Sequence, residues 1–158
     1  MLEIQIKADD IAAAMENKAE LIFSAVRGEM PAAVGNLLAY IQDSKLSGQV
    51  LNQRSGNLKR SGFTEVASGD ASVTGYVGFG RTVPYAAIHN YGGSINIPEV
   101  DGKLMVFQRN GLTVFTTKHR AFTVTMPERN FLESSATERE PVIREGFREA
   151  VAEAVNAK

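Results

Sequence analysis

Apolar and polar positions alternate where the chain begins: Leu2, Ile4 and Ile6 are separated by Glu3, Gln5 and Lys7, the period-two pattern of a half-buried strand. The period then lengthens. Ile11, Met15, Ala19, Ile22 and Val26 recur at spacings of three and four, which places one apolar stripe on a helix that Asp9 or Asp10 can cap. Gly28 and Pro31 interrupt the stripe, and Val34, Leu37, Leu38 and Ile41 resume it. This predicts a kink or a short break and then a second helical stretch to about Ser47.

From Val50 the texture turns to Gly, Ser and Asn. Arg54-Ser55-Gly56-Asn57-Leu58-Lys59-Arg60-Ser61-Gly62 reads as a turn with a short helical piece, and two strands follow, Phe63 to Val66 and Ser72 to Val77, joined by the loop Ala67-Ser68-Gly69-Asp70-Ala71. Pro84 opens a brief helix over Tyr85 to Tyr91, which Gly92 and Gly93 end with positive φ. Asn110-Gly111 is the clearest turn: it lies between Leu104-Met105-Val106-Phe107 and Leu112-Thr113-Val114-Phe115, and it favours the tight hairpin whose two central residues both need positive φ. A third strand, Ala121 to Thr125, is expected to return beside that hairpin. Leu132, Ala136, Ile143, Phe147, Val151 and Val155 then recur at helical intervals, with a kink expected at Pro141. The pattern predicts an α+β fold: a long N-terminal helical region and a C-terminal helix packed on one face of an antiparallel sheet, with a protruding hairpin.

Composition changes this picture little. The 158 residues suit a single domain spanning 1–158, and 44% hydrophobic with 22% charged residues is ordinary for a globular protein. A formal net charge of -1 excludes a surface built throughout for nucleic acid or an anionic membrane. The charge is uneven: Met1 to Val50 holds 4 basic and 7 acidic residues, Leu51 to Thr125 holds 8 and 4, and Met126 to Lys158 holds 5 and 7. A basic middle therefore sits between acidic flanks. There are no cysteines, so disulfides and thiol chemistry are excluded. The N-terminus lacks a signal-peptide pattern and no run of 18 apolar residues occurs, which makes a soluble protein of the cytoplasm the expectation.

Candidate chemistry is sparse. His89 and His119 have no partner at metal-ligand spacing, so no metal and no cofactor is expected. No Gly-x-Ser-x-Gly elbow is present. Gly75-Tyr76-Val77-Gly78-Phe79-Gly80 lacks the Lys-Ser/Thr ending of a phosphate loop and reads as a strand end crowded by backbone. The carboxylates and arginines after Phe131 describe a solvated helix face or a charged contact with a neighbour. Arg54, Lys59 and Arg60, with Arg81, form a candidate basic patch, and the alternative to a structural protein is a nucleic-acid-binding module using segment 54–60. A pocket converging on His89 or His119 would point instead to an enzyme.

Four blocks in order carry a resemblance: Val50 to Ser61; Val77-Gly78; Pro84-Tyr85-Ala86-Ala87-Ile88-His89-Asn90-Tyr91-Gly92-Gly93; and Met126-Pro127-Glu128-Arg129-Asn130-Phe131-Leu132. Together they resemble the phage tail-completion and virion-morphogenesis family, the group that includes relatives of the lambda minor tail protein Z and the Mu virion morphogenesis protein. Its motifs are Thr-Gly-x-Leu-x-x-Ser, Tyr-Ala-x-x-His-x-x-Gly and Pro-Ala-Arg-Pro-Phe-Leu. Here Ser55 stands for the Thr, Glu128 for the small residue and Asn130 for the second proline. The resemblance implies scaffold roles, not an active site, for Gly56, Leu58, Ser61, Tyr85, His89, Gly92, Gly93, Pro127, Arg129, Phe131 and Leu132. Phe131 and Leu132 are expected to fasten the last helix to the sheet, and Arg129 to hold backbone carbonyls in the hairpin region.

The resemblance further implies a non-enzymatic virion protein of a long-tailed phage or prophage, located in the tail or neck. It would complete the tail or join it to the head as a subunit of a six-fold ring. Its partners would be further copies of itself, a tail tube or tail terminator protein and head-tail connector proteins, with no membrane and no specific nucleic acid. Met105, Phe107, Asn110, Gly111, Leu112 and Phe115 are the candidate interface; the alternative is a hairpin that covers the protein's own core.

Overall fold

The computed structural model describes residues 8–49, 55–70, 72–80, 83 and 85–157. The expected strand Leu2–Ile6, and Arg54, Arg81 and Pro84, lie outside the described residues. The chain divides into two compact units, one of Met1–Pro84 with Phe131–Lys158 and one of Tyr85–Asn130.

The first unit is organised on α1, Ala8–Tyr40, which contains Asp9 and Asp10 rather than starting after them. Of the kink or short break expected near Pro31 there is no break, the helix being continuous through it. A proline removes one N–H and crowds the preceding turn, but Ala33 and Val34 immediately after it are buried, and packing of that face sustains the helix. A π-helical segment, Ile41–Gln49, continues α1 until Ser47 (φ −107°) and Gly48 (φ 124°) leave helical geometry. Five residues on a 3.6-residue helix would put Ile41 and Leu46 about 140° apart. The wider turn brings both into the core, where they pack with the fully buried Phe131.

The short helix α2, Asn57–Arg60, leads into β1, Gly62–Ser68, which pairs antiparallel with β2, Val73–Phe79, from Gly62↔Phe79 to Ser68↔Val73. α1 packs on both strands. A Cβ at Gly75 would come within 2.4 Å of Val34 Cγ1 and 2.7 Å of Met30 Sδ, so a bare backbone is what admits the helix. The crowding at this glycine run, expected from backbone, is thus supplied by side chains.

The C-terminal helix, which we number α4, spans Phe131–Asn156 and remains helical through Pro141. It packs chiefly along α1 and the π-helical segment, and it touches the β1–β2 sheet where the Phe131 ring meets Phe79 edge-on at 5.7 Å between centroids. A polar clamp joins the same elements: Tyr40 Oη donates to Glu138 Oε2 at 2.5 Å and Lys45 Nζ to Glu138 Oε1 at 2.7 Å. These bonds, Lys45 first and Tyr40 second, hold the Glu138 carboxyl below its ordinary pKa, and the bond to Glu138 raises that of Tyr40.

The second unit contains α3, Ala86–Tyr91, and four strands: β3, Gly93–Ile97; β4, Val100–Arg109; β5, Leu112–His119; and β6, Phe122–Met126. β4 and β5 form the expected hairpin, with Asn110 at φ 50° and Gly111 at φ 77°. The strand expected beside that hairpin pairs elsewhere: β6 joins β3, from Gly93↔Met126 to Ile97↔Phe122. The reason lies in the alternation. Ile95, Ile97, Phe122, Val124 and Met126 fall on one face of the β3–β6 pair, while Ser94 with Thr125 (3.3 Å) and Asn96 with Thr123 (2.8 Å) hydrogen-bond on the other. The fold is α+β, and its strands form three two-stranded antiparallel sheets among the described residues instead of a single sheet.

Candidate functional site: the motif junction and the exposed hairpin

The second and third sequence motifs meet within the second unit. α3 presents Tyr85 and His89 one turn apart, their rings edge-on with centroids 5.6 Å apart. Arg129 Nη1 donates to His89 Nδ1 at 2.7 Å, so Nδ1 accepts and the ring proton is assigned to Nε2. Burial, and then the Arg129 cation, lower the His89 pKa and favour the neutral ring. Arg129 was expected to reach hairpin carbonyls; its side chain instead binds this imidazole. The backbone closes the junction, because the N–H groups of Arg129 (3.2 Å) and Asn130 (2.8 Å) both donate to the carbonyl of Asn90. Gly92, at φ 69°, ends α3, and a Cβ there would lie 2.7 Å from the backbone N of Glu128. Gly93 follows at φ 134°, and Pro127 lies in the exposed connection between β6 and Arg129.

The first motif belongs to the first unit. Gly56 takes φ 69° ahead of α2, Leu58 packs against the Ile41–Leu46–Phe131 cluster, and Ser61 Oγ donates to the Leu58 carbonyl at 2.8 Å. Leu132 packs against the same cluster. The motif residues thus fall into two separate structural groups: a core anchor of Leu58, Phe131 and Leu132, and the junction of Tyr85, His89, Gly92 and Arg129. Sequence reasoning missed the junction's backbone acceptor, Asn90, and β3, although the alternation Ser94-Ile95-Asn96-Ile97 signals the strand.

The hairpin is open on both faces. Register pairs Val106 with Phe115 and Phe107 with Val114, so neighbouring pairs point to opposite sides. Val106 and Phe115 are 57% and 66% exposed on one face; Phe107 and Leu112 are 47% and 71% exposed on the other, where Met105 and Val114 are half-buried. A hairpin covering one core would expose apolar side chains on one face at most. Asn110 and Gly111 form its exposed turn.

A model of the phage virion morphogenesis family matches residues 8–152. The chain belongs to that family. No curated protein and no solved structure matches the chain. As a virion morphogenesis protein it serves in building a phage particle, and the match takes in α1, where no motif residues were recognised.

The nucleic-acid reading of this virion morphogenesis protein meets local geometry. In the basic segment, Lys59 Nζ is paired with Asp43 at 2.9 Å, and Arg60 Nη2 donates to Asn57 Oδ1 at 2.6 Å and to the Ser55 carbonyl at 2.9 Å. Arg60 thus braces its own turn, and Lys59 ties α2 to the π-helical segment. Among the described residues no group of three or more His, Cys, Asp or Glu could hold a metal, and no helix is long and apolar enough to cross a membrane.

Proposed function

We propose that the chain is a structural subunit of the tail or neck of a long-tailed phage or prophage, completing the tail or joining it to the head as one member of a six-fold ring. It acts through binding surfaces, not through a reaction. The observation that carries this reading is the β4–β5 hairpin of a phage morphogenesis family member, whose large apolar side chains are exposed on both faces. Such a ribbon is stable and soluble when neighbours cover it. Copies of the same chain occupy the flanks of the ring, a tail tube or terminator protein lies below and head-tail connector proteins lie above.

Electron microscopy of lysates from a parent phage lacking this gene tests the reading. Filled heads beside unjoined tails, or tails with defective ends, restored by supplying the gene in trans, are the expected result. Normal infectious particles from the deletion would overturn it.

A further inference from the structure

A second surface lies in the first unit, where α1 and α4 leave a groove of about 290 Å³. Leu37, Val142 and Ile143 give it an apolar lining; Glu29 and Glu149 add two carboxylates, the third, Glu145, is paired with Arg148 at 2.8 Å, and the single lining cation is Arg139. That cation is engaged on the Tyr40 ring at 5.1 Å. The groove therefore suits an apolar side chain accompanied by positive charge. The hairpin carries that combination. Its tip sets the exposed Leu112 opposite Arg109 in the strand register, and Lys103 is exposed on β4.

The charges of the two units are complementary in the same sense. Between Tyr85 and Asn130 there are five Lys and Arg (Lys103, Arg109, Lys118, Arg120, Arg129) against three acids (Glu99, Asp101, Glu128), a balance of +2. With a chain total of -1, the remaining residues carry -3. We propose that the β4–β5 hairpin tip of one copy docks into the α1–α4 groove of the next copy. Apolar contact around Leu112 supplies affinity, and the opposed charges select and orient the partner. Hairpin and groove are different surfaces, so the contact is heterologous: each copy gives one and receives one, and the series closes as a ring or continues as a filament. This inference rests on the ring reading and names its contact.

Sedimentation velocity on the full-length protein, at low and high salt, tests it with Leu112→Glu at the tip and Val142→Glu in the groove, both at exposed positions. Each variant alone is expected to weaken self-association at least about ten-fold. Mixed together they should form a pair of one copy of each and nothing larger, since one intact tip then meets one intact groove. If either substitution disturbs the fold, the cysteine-free chain allows a covalent version: Leu112→Cys and Val142→Cys in one polypeptide should oxidise to a reducible ladder of linked copies. Efficient dimers from Leu112→Cys alone would show hairpin-to-hairpin contact, and a disulfide closed within one chain would show the hairpin in its own groove; either overturns the proposal. Assembly that ignores both glutamate variants overturns the docking and leaves the ring standing. A wild-type chain that stays monomeric without a ladder also overturns the docking, and the ring is then decided separately by counting copies in particles.

Discussion

Asn130 illustrates how a family position can be occupied by chemically opposite means. The resemblance places proline there, with φ fixed near −65°, whereas this chain holds asparagine at φ 42° and uses its N–H to bond Asn90. Asn130→Pro should therefore destabilise the protein by about 3 kcal/mol or more, while Asn130→Gly stays within about 1 kcal/mol, as urea unfolding would record. His89 gives a pH prediction at the same scale. Its folded pKa lies below the ordinary value of 6.5, so folding favours the neutral ring. The resulting stability is complete above pH 6.5 and is lost as pH falls toward and through the lowered pKa, because the unfolded chain binds the proton first. Melting curves between pH 7.5 and 5 should show this loss in the wild type, and it should be smaller in His89→Asn, which keeps an acceptor for Arg129 but cannot titrate. A wild type and variant with the same slope would remove His89 as the cause. The sequence made the proximity of Tyr85 and His89 readable from their spacing, but the bond to Arg129 depends on a return of the chain that no local pattern records.

At the scale of elements, the packing of α1 on β1–β2 depends on side chains that are absent as much as on those present. Gly75→Ala would drive its Cβ into Val34 Cγ1 and Met30 Sδ, and a loss of about 1–3 kcal/mol is expected. Val34→Ala removes one of the clashing atoms, so the double variant should be more stable than the sum of the two single losses by about 1 kcal/mol. Strict additivity in that cycle would mean that the helix does not lie where Gly75 admits it. Helix and strand types were readable here because apolar spacing separates period two from period 3.6. Partner choice was less so: β6 was placed beside the hairpin by proximity in sequence, yet its alternation matches β3. Continuity through Pro31 was half hidden for a related reason, since local propensity argued for a kink or a short break and burial of Ala33 and Val34 favoured an unbroken helix.

For the molecule as a whole, the sequence showed a basic middle between acidic flanks, and the structure divides that middle, four of its eight basic residues falling in the unit Tyr85–Asn130. No linker or low-complexity segment marks the boundaries at Pro84 and Phe131. The division bears on local stability. β1–β2 is covered by α1, while β4–β5 is a two-stranded ribbon with both edges unpaired by any other described strand and apolar side chains exposed on both faces. Two strands alone hold their ladder weakly, so the hairpin should open locally without the rest of the fold. Hydrogen exchange on the free protein is expected to be at least about ten-fold faster for the β4–β5 amides than for those shared by β1 and β2, a difference of about 1.4 kcal/mol in opening free energy. Covering the ribbon should close that gap, because a neighbour that binds only the formed hairpin shifts its opening equilibrium by mass action. Protein recovered in assembled particles should therefore show slowed exchange at Phe107, Leu112 and Val114, whose N–H groups lie in the β4–β5 ladder, with little change along β1. Equal protection of the two hairpins in the free monomer would mean that the ribbon is stable unaided, and its exposed apolar faces would then need another explanation.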